Sequence, residues 1–501
     1  MRAQLVILIA YVVILLAISW WSTVILKRGT SNRTLNYLLA GRNLPSVLIM
    51  VMLVGLAVGG ASTVGVAESA YTMGVSAGWY NAAWGLGGIF VGLFVARHLR
   101  RMTVKTVPQI MGQMFGPWTR FFSVICQLLV MISITALQYV AGGAILTALL
   151  PDVFTLQQGM LASCAIFIFI TLFGGYWASG LTNLFNVVLI YVGIVVALVF
   201  GLRQFGGFES LLAQLPAGDN WFHPVDGLGL PRVLGYVAVM VTMATTTQAV
   251  SQICFAARDE RMARNGFIIG GIIILPAGFL CAFFGIMAAV QFPELGPAGA
   301  SLALPKLVTG LTPLVGGLFL ASLWAADIST AVGLLMGCST LVLEDVVKKV
   351  YRKPLQGSKE MLVSRLVVLV VSLLSFALAL TIKGILATIT TALALTTSFT
   401  IAILAGIYLP RIVKRAAGLW LVLASLALWL LWTFFPSLRV LPHLIYAEWI
   451  ACGLILAGFA VFAKEPAGDI FARTKEQDDE EADIRRSWAT LAKPSPAPKP
   501  L

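Results

Sequence analysis

The sequence predicts an all-α polytopic membrane protein, and three observations carry that prediction. Of 501 residues, 59% are hydrophobic and only 11% are charged, with a mean hydropathy of +0.93. A soluble domain carries roughly 25% charged residues, so lipid must be the solvent for most of this chain. Apolar runs long enough to cross a bilayer centre on 4–26, 44–70, 75–97, 119–149, 157–175, 180–204, 232–256, 264–291, 312–343, 362–382, 384–409, 416–435 and 443–463, thirteen in all. Finally, 28 of the 34 Lys and Arg fall in alternate loops and the tail.

The run at 4–26 exceeds a signal-peptide core, and no small-residue cleavage site follows it, so it reads as a retained helix. The basic loops follow spans one, three, seven, nine and eleven. By the positive-inside rule they place the N-terminus outside and the C-terminus in the cytoplasm of a cell inner membrane. An odd number of spans agrees with that orientation. The outer loops near 205–231 and 292–311 are longer and rich in Gly, Pro and aromatics. The tail, 464–501, holds an acidic run, Asp478 to Glu481, and too few apolar residues to fold alone, so disorder is expected there.

Several function classes are excluded. There is no Gly-rich phosphate loop ending in Lys-Ser or Lys-Thr, which argues against an ATP-driven pump. No segment is long enough to make a basic soluble domain for nucleic acid; the net charge of +13 serves orientation and lipid head groups instead. The six cysteines lie in apolar runs without metal-ligand spacing. The three histidines, His98, His223 and His443, sit in loops or at membrane edges as solvated side chains, and no catalytic cluster assembles. The chain is not an enzyme on this reading.

Three spans are irregular. Span two reads Val54-Gly55-Leu56-Ala57-Val58-Gly59-Gly60-Ala61-Ser62-Thr63-Val64-Gly65, and Gly59-Gly60 is the expected helix break. Unwound carbonyls can coordinate a cation where a cavity shields them, although small residues also serve close helix packing. Span seven lies five spans later, where an inverted five-helix repeat would place its partner. It carries Thr245, Thr246, Thr247 and Gln248, then Ser251 and Gln252. Span nine carries Ala326-Asp327-Ile328-Ser329-Thr330, and Asp327 reads as the one acidic residue deep inside an apolar span. A charge there costs at least about 2.5–3.5 kcal/mol, which makes it a functional candidate. Ala326, Ser329 and Thr330 share one helix face, offering a carbonyl and two hydroxyls to a hard cation with the carboxylate at the edge. The bland alternative is a pair of back-bonding hydroxyls beside a protonated structural Asp.

With these residues in view, the chain resembles the sodium:solute symporters over about residues 33 to 465. The resemblance rests on Tyr37-Leu38-Leu39-Ala40-Gly41-Arg42 before the Gly-rich helix, Thr106-Val107-Pro108, and Gly174-Gly175-Tyr176-Trp177. It continues through Gln248 to Ala257 and through Ala325 to Asp345, where Ser329-Thr330 precedes Glu344-Asp345. It implies a leucine-transporter-like fold with an extra N-terminal helix (1–30), five-helix repeats at 44–204 and 232–409, and two C-terminal helices at 416–463. It also implies a sodium site at Gly55, Val58, Ala326, Ser329 and Thr330. Asn183 stands where some relatives keep an acidic residue for a second sodium, so Asp327 with Asn183 is a possible second cation or proton site. The substrate pocket falls around Ser62, Tyr80, Asn81, Thr245, Thr246 and Gln248. Sugar-carrying relatives use Gln and Glu where this chain has Ser62 and Asn81, and an aromatic gate where it has Ala249.

The resulting expectation is sodium-coupled symport of a small polar solute by alternating access, with Na+ as coupling ion and a monomer sufficient. An amino acid, monocarboxylate or related metabolite fits better than a sugar. The alternatives are a proton-coupled carrier of the same fold using Asp327, and a membrane sensor on a transporter scaffold.

Overall fold

The computed structural model describes residues 33–216, 220–350, 357–382 and 385–491, with parts of 6–21. Its main helices are α1 (Arg33–Leu39), α2 (Ser46–Ala57), α3 (Gly60–Met73), α4 (Trp79–Phe90), α5 (Val107–Phe115), α6 (Pro117–Leu149) and α7 (Leu156–Gln204). There follow α8 (Leu230–Thr246), α9 (Gln248–Ala256), α10 (Glu260–Ile274), α11 (Ala277–Gln291), α12 (Pro313–Leu341) and α13 (Gly357–Ala379). Last come α14 (Ile385–Ala394), α15 (Thr397–Tyr408), α16 (Ala417–Phe434), α17 (Leu444–Phe462) and α18 (Lys475–Leu491). No strand occurs among the described residues.

Among the described residues, eight helical stretches are long and apolar enough to cross a membrane, and ten if each of two bent pairs, α8 with α9 and α14 with α15, counts as one span. The chain is therefore a multi-pass membrane protein. Most of 1–30 lies outside the described residues, but Tyr11 reaches α7, its hydroxyl donating to Asn186 Oδ1 at 2.7 Å.

The helix-assigned stretch α7 runs for 49 residues, yet it is a hairpin. Trp324 Nε1 donates to Ser163 Oγ at 2.9 Å, while Gly193 packs against Phe319. A straight helix would separate residues 163 and 193 by about 45 Å, and five residues of α12 span only about 7.5 Å. The chain must reverse between its apolar arms, Leu156–Leu172 and Ser179–Gln204. This matches the sequence division into spans at 157–175 and 180–204.

Close backbone approach locks α10 and α11 onto α2, α3 and α4. A Cβ on Gly278 would land 2.2 Å from the Gly78 carbonyl, and one on Gly285 would land 2.2 Å from the Ala67 carbonyl. Backbone cannot move aside as a side chain can, so only Gly fits. Small residues at membrane-helix contacts buy this proximity where no hydrophobic force separates lipid from protein.

The tail departs from the expected disorder. Residues Lys475–Leu491 form α18, and Ile484 and Glu481 are buried. Charge holds it. Glu480 pairs with Lys105 Nζ at 2.7 Å and Arg42 Nη2 at 3.3 Å, and Glu481 pairs with Arg100 Nη2 at 3.2 Å. Residues 492–501 lie outside the described residues.

Candidate functional site

The break in span two sits where the paired glycines put it. Val58 N closes the last turn of α2 on Val54 O at 2.7 Å, Gly59 is extended (φ −86°, ψ 177°), and α3 begins at Gly60. The freed carbonyls find side chains. Ala57 O accepts from Ser62 Oγ at 2.7 Å and from Asn81 Nδ2 at 2.9 Å. Gly55 O accepts from Thr330 Oγ1 of α12 at 2.9 Å. That bond joins the end of α2 directly to span nine. Val58, Ala326 and Thr330 are all buried at this junction. Ser329 precedes Thr330 on α12, but its side chain lies outside the described residues.

Asp327 and Asn183 approach the same broken helix from two sides. A Cβ on Gly60 would fall 2.3 Å from Asp327 Oδ2, so the carboxylate rests against the first residue of α3. A Cβ on Gly55 would fall 2.1 Å from Asn183 Oδ1. A Cβ at either glycine would force the Asp327 or Asn183 side chain to move. Asp327 is fully buried.

Beside the break lies a cavity bounded by several helices. The broken helix contributes Leu56, Gly59 and Ser62, and α4 contributes Tyr80 and Trp84 one turn apart. Facing them are Ile134 and Gln138 of α6, Met243 of α8, Thr247, and Ala249 and Val250 of α9. Leu334, Ile389 and Leu393 close the apolar side. Gln138 Oε1 and Thr247 Oγ1 are buried without a hydrogen-bond partner. Leu56 and Ala249 also line a second, smaller cavity, together with Asn183, Thr330, Tyr176 and Ser179. Leu56 and Ala249 thus stand between this cavity and the Thr330 junction.

Of the expected substrate residues, the cavity takes Ser62 and Tyr80, with Asn81 hydrogen-bonded just behind them on Ala57 O. It does not take Thr245, Thr246 or Gln248. Thr245 Oγ1 donates back to Val241 O at 2.7 Å, and Thr246 Oγ1 meets Thr400 Oγ1 at 2.7 Å. Gln248 is a scaffold residue: its Oε1 accepts from Val107 N at 2.9 Å and its Nε2 donates to Lys105 O at 3.1 Å. The bend between α8 and α9 falls at Thr247 (φ −64°, ψ 130°), which turns that residue, not its neighbours, into the cavity. Gln127 stitches the bend, its Nε2 donating to Thr246 O at 2.8 Å while its Oε1 accepts from Gln248 N at 3.0 Å. Gln138, Trp84 and Gln127 carried no sequence signal beyond being polar or aromatic in an apolar run.

Two further readings change. Asp327 is not the one deep acid: Glu448 of α17 is fully buried and accepts from Ser425 of α16. His443 is half-buried, with its ring 5.3 Å from that of Tyr236, which stands edge-on to Tyr80 at 6.1 Å. Burial, with Arg232 nearby, pushes its imidazole down to about 4, so it is neutral near pH 7.

The face opposite the α11–α12 connection gathers charge. Buried Arg42 donates to Thr103 O at 2.9 Å, and Arg100 Nε donates to Ala257 O at 2.7 Å. Glu344 meets Lys348 at 2.8 Å, and Arg120 Nε donates to Asp345 Oδ1 at 2.7 Å.

Comparison with known proteins identifies the family. The family model described as the sodium:solute symporter family matches residues 37–424. A sodium/glucose cotransporter 4 of Danio rerio is 26% identical over 74% of this chain and 62% of its own length. A sodium/proline symporter 2 of Staphylococcus saprophyticus is 24% identical over 75% of each chain. The chain thus spans about 60% of the cotransporters' length. Among solved structures, a Na+-coupled sialic acid symporter in a substrate-bound outward-open state superposes with a TM-score of 0.76 at 18% identity, over 93% of this chain and 99% of that one. A nucleobase-cation-symport-1 family transporter superposes at 0.58 and 14% identity, over 89% and 97%. These two show a shared fold.

Proposed function

The chain belongs to the sodium:solute symporter family, and on that premise we propose that it couples inward sodium flow to uptake of a small polar organic solute. One observation carries the reading. Thr330 Oγ1 is held on the Gly55 carbonyl at 2.9 Å, at the broken end of α2 and across Leu56 and Ala249 from the cavity that Ser62, Tyr80 and Thr247 line. The proposed sodium ligands are the Gly55, Val58 and Ala326 carbonyls with the Ser329 and Thr330 hydroxyls, an all-oxygen set suited to a hard cation. Thr330 has only to turn its proton away from Gly55 O for both oxygens to face an ion. Sodium then ties α2 to α12, the two walls that meet beside the cavity. Coupling follows, because whatever tightens sodium by fixing that junction must tighten solute by the same factor.

In this scheme residues 44–204 and 232–409 are the inverted repeats, each opened by a broken helix, and 416–463 lie outside them. The basic face that binds α18 is cytoplasmic by the positive-inside rule. The solute contacts are Ser62, Tyr80, Trp84, Gln138 and Thr247, with Asn81 in support.

The test is uptake into sodium-free proteoliposomes under an imposed sodium or proton gradient. Sodium-driven accumulation that is lost in Ser329→Ala with Thr330→Ala supports the reading. Accumulation driven by protons alone, and lost in Asp327→Asn, would replace it with a proton-coupled carrier.

A further inference from the structure

Taking the transporter reading above as given, a seam between α2 and α9 leads from the cavity to the charged face. Leu56 of α2 and Ala249 of α9 line both cavities. One turn further along each helix, Met52 and Ile253 line the second cavity beside Thr330. The seam ends at Leu44 and Ala257, both fully buried and paired as a parallel bridge. Leu44 N donates to Ala256 O at 3.1 Å, and Arg258 N donates to Leu44 O at 3.0 Å.

The acidic pair of α18 grips that bridge from both sides. Arg42, two residues before Leu44, donates to Thr103 O and to Val104 O at 3.2 Å, and pairs with Glu480 at 3.3 Å. Arg100 holds the other side. Its Nε donates to Ala257 O at 2.7 Å and its Nη2 to Arg258 O at 3.2 Å, while Glu481 pairs with that Nη2 at 3.2 Å. Lys105 adds a third tie, meeting Glu480 at 2.7 Å and Glu344, just past the end of α12, at 3.8 Å. Glu480 and Glu481 are consecutive, so their Cα atoms stand about 3.8 Å apart. Arg42 can therefore leave Arg100 only by the slack of the side chains while both pairs hold. Both pairs are largely out of water, so salt screens them weakly, and breaking one strands a buried cation. At this end, α2 parts from α9 only when α18 lets go.

We propose that α18 is a latch on the inward exit: its acidic pair holds the α2–α9 seam shut, and its release is a step of inward opening. Glu480 and Glu481 act through Arg42 and Arg100 and touch neither ion nor solute, which makes them positioning residues. The inference rests on the alternating-access reading. Without the latch, the inward-open state gains population at the expense of the outward-open one.

The experiment uses the full-length protein in proteoliposomes, its six native cysteines replaced by Ala and one reporter cysteine introduced. Ile253→Cys reports on the seam. Val66→Cys, one turn outward of Ser62 on the same face of α3 and also buried, reports on the outer route. The probe is N-ethylmaleimide. Each reporter is labelled with and without sodium in the intact chain, in Glu480→Gln with Glu481→Gln, and in a chain ending at Thr474. The expected result is at least fivefold faster labelling of Ile253→Cys, and slower labelling of Val66→Cys, in the double substitution and in the shortened chain alike. Unchanged labelling of Ile253→Cys in the shortened chain overturns the latch and leaves sodium symport standing. Faster labelling of both reporters is general loosening and overturns it too. An effect of the shortened chain that the double substitution lacks overturns the role given to the acidic pair. Sodium should slow labelling of Ile253→Cys in the intact chain, because its proposed junction borders the second cavity. A tail effect with no sodium effect keeps the latch and overturns the sodium site.

Discussion

Thr330 and Asp327 stand one turn apart on α12, yet the broken helix uses them differently. Thr330 offers a hydroxyl to a carbonyl, and Asp327 offers a charge to a helix start. Thr330→Ala should raise the half-saturating sodium concentration at least tenfold, while Thr330→Ser keeps the oxygen and stays near wild type; sodium titration of uptake separates them. Gly60→Ala should lower uptake several-fold by displacing the Asp327 carboxylate, because its methyl would fall 2.3 Å from Asp327 Oδ2; initial uptake rates measure the loss. A second test concerns His443. Its folded value is depressed to about 4 from 6.5, so between those values the unfolded chain binds a proton that the folded one excludes. Stability should therefore be full above about 6.5 and fall as pH drops toward 4. Thermal melts across that window should show a shallower pH dependence in His443→Phe. Much of this scale was legible in the sequence. Gly59-Gly60 marks the break, and a hydroxyl pair three and four residues after Ala326 marks one face of α12. Which threonine faces the cavity was not legible. Three consecutive Thr look alike, and only the bend at Thr247 decides among them.

The same bend shows how an irregular element is stabilised. Interrupting a helix in lipid strands N–H and C=O groups that water cannot reach. Gln127 recovers one of each across the bend between α8 and α9. Gln127→Leu should orphan both, at about 1–3 kcal/mol per buried group. The expected outcome is a melting temperature several degrees lower in detergent, with uptake per folded molecule reduced because α9 loses its aim. Gln127→Glu keeps the acceptor for Gln248 N and should fall between. A melt that matches wild type in Gln127→Leu would show that the bend holds itself. Sequence reading found the irregular elements because Gly pairs and polar clusters in apolar runs are local signals. Gln127 was missed because its partner carbonyl and N–H are more than a hundred residues away, and nothing local distinguishes it from a packing residue.

At the scale of the whole molecule, the alternation of basic loops has a second consequence beyond orientation. It gathers Arg42 from one loop and Arg100 and Lys105 from the next basic loop onto one face, where the acidic run of the tail lands. Sequence reading treated the tail as disordered since it lacks apolar residues. The ordering comes instead from cations up to 438 positions away, a match no local window contains. Burial raises the Glu480 carboxyl, but Lys105 and Arg42 outweigh it and hold the group below its usual value of 4.5. A depressed carboxylate contributes to docking above its unfolded value and loses that contribution as pH falls through the folded one. Docking should therefore persist from neutral pH down to about 4.5 and weaken below it. A nitroxide at Ala482, which is exposed on α18, should report a slow, immobilised spectrum at pH 7. The spectrum should become mobile in Glu480→Gln with Glu481→Gln, and in the unmodified tail at low pH. Raising salt from roughly 0.01 to 1 M shortens the screening length from about 30 to 3 Å, yet these pairs are largely shielded from solvent. Salt should therefore loosen α18 less than the double substitution does. A label equally immobile in the double variant would mean that Ile484 and backbone contacts, not the ion pairs, hold the tail to this face.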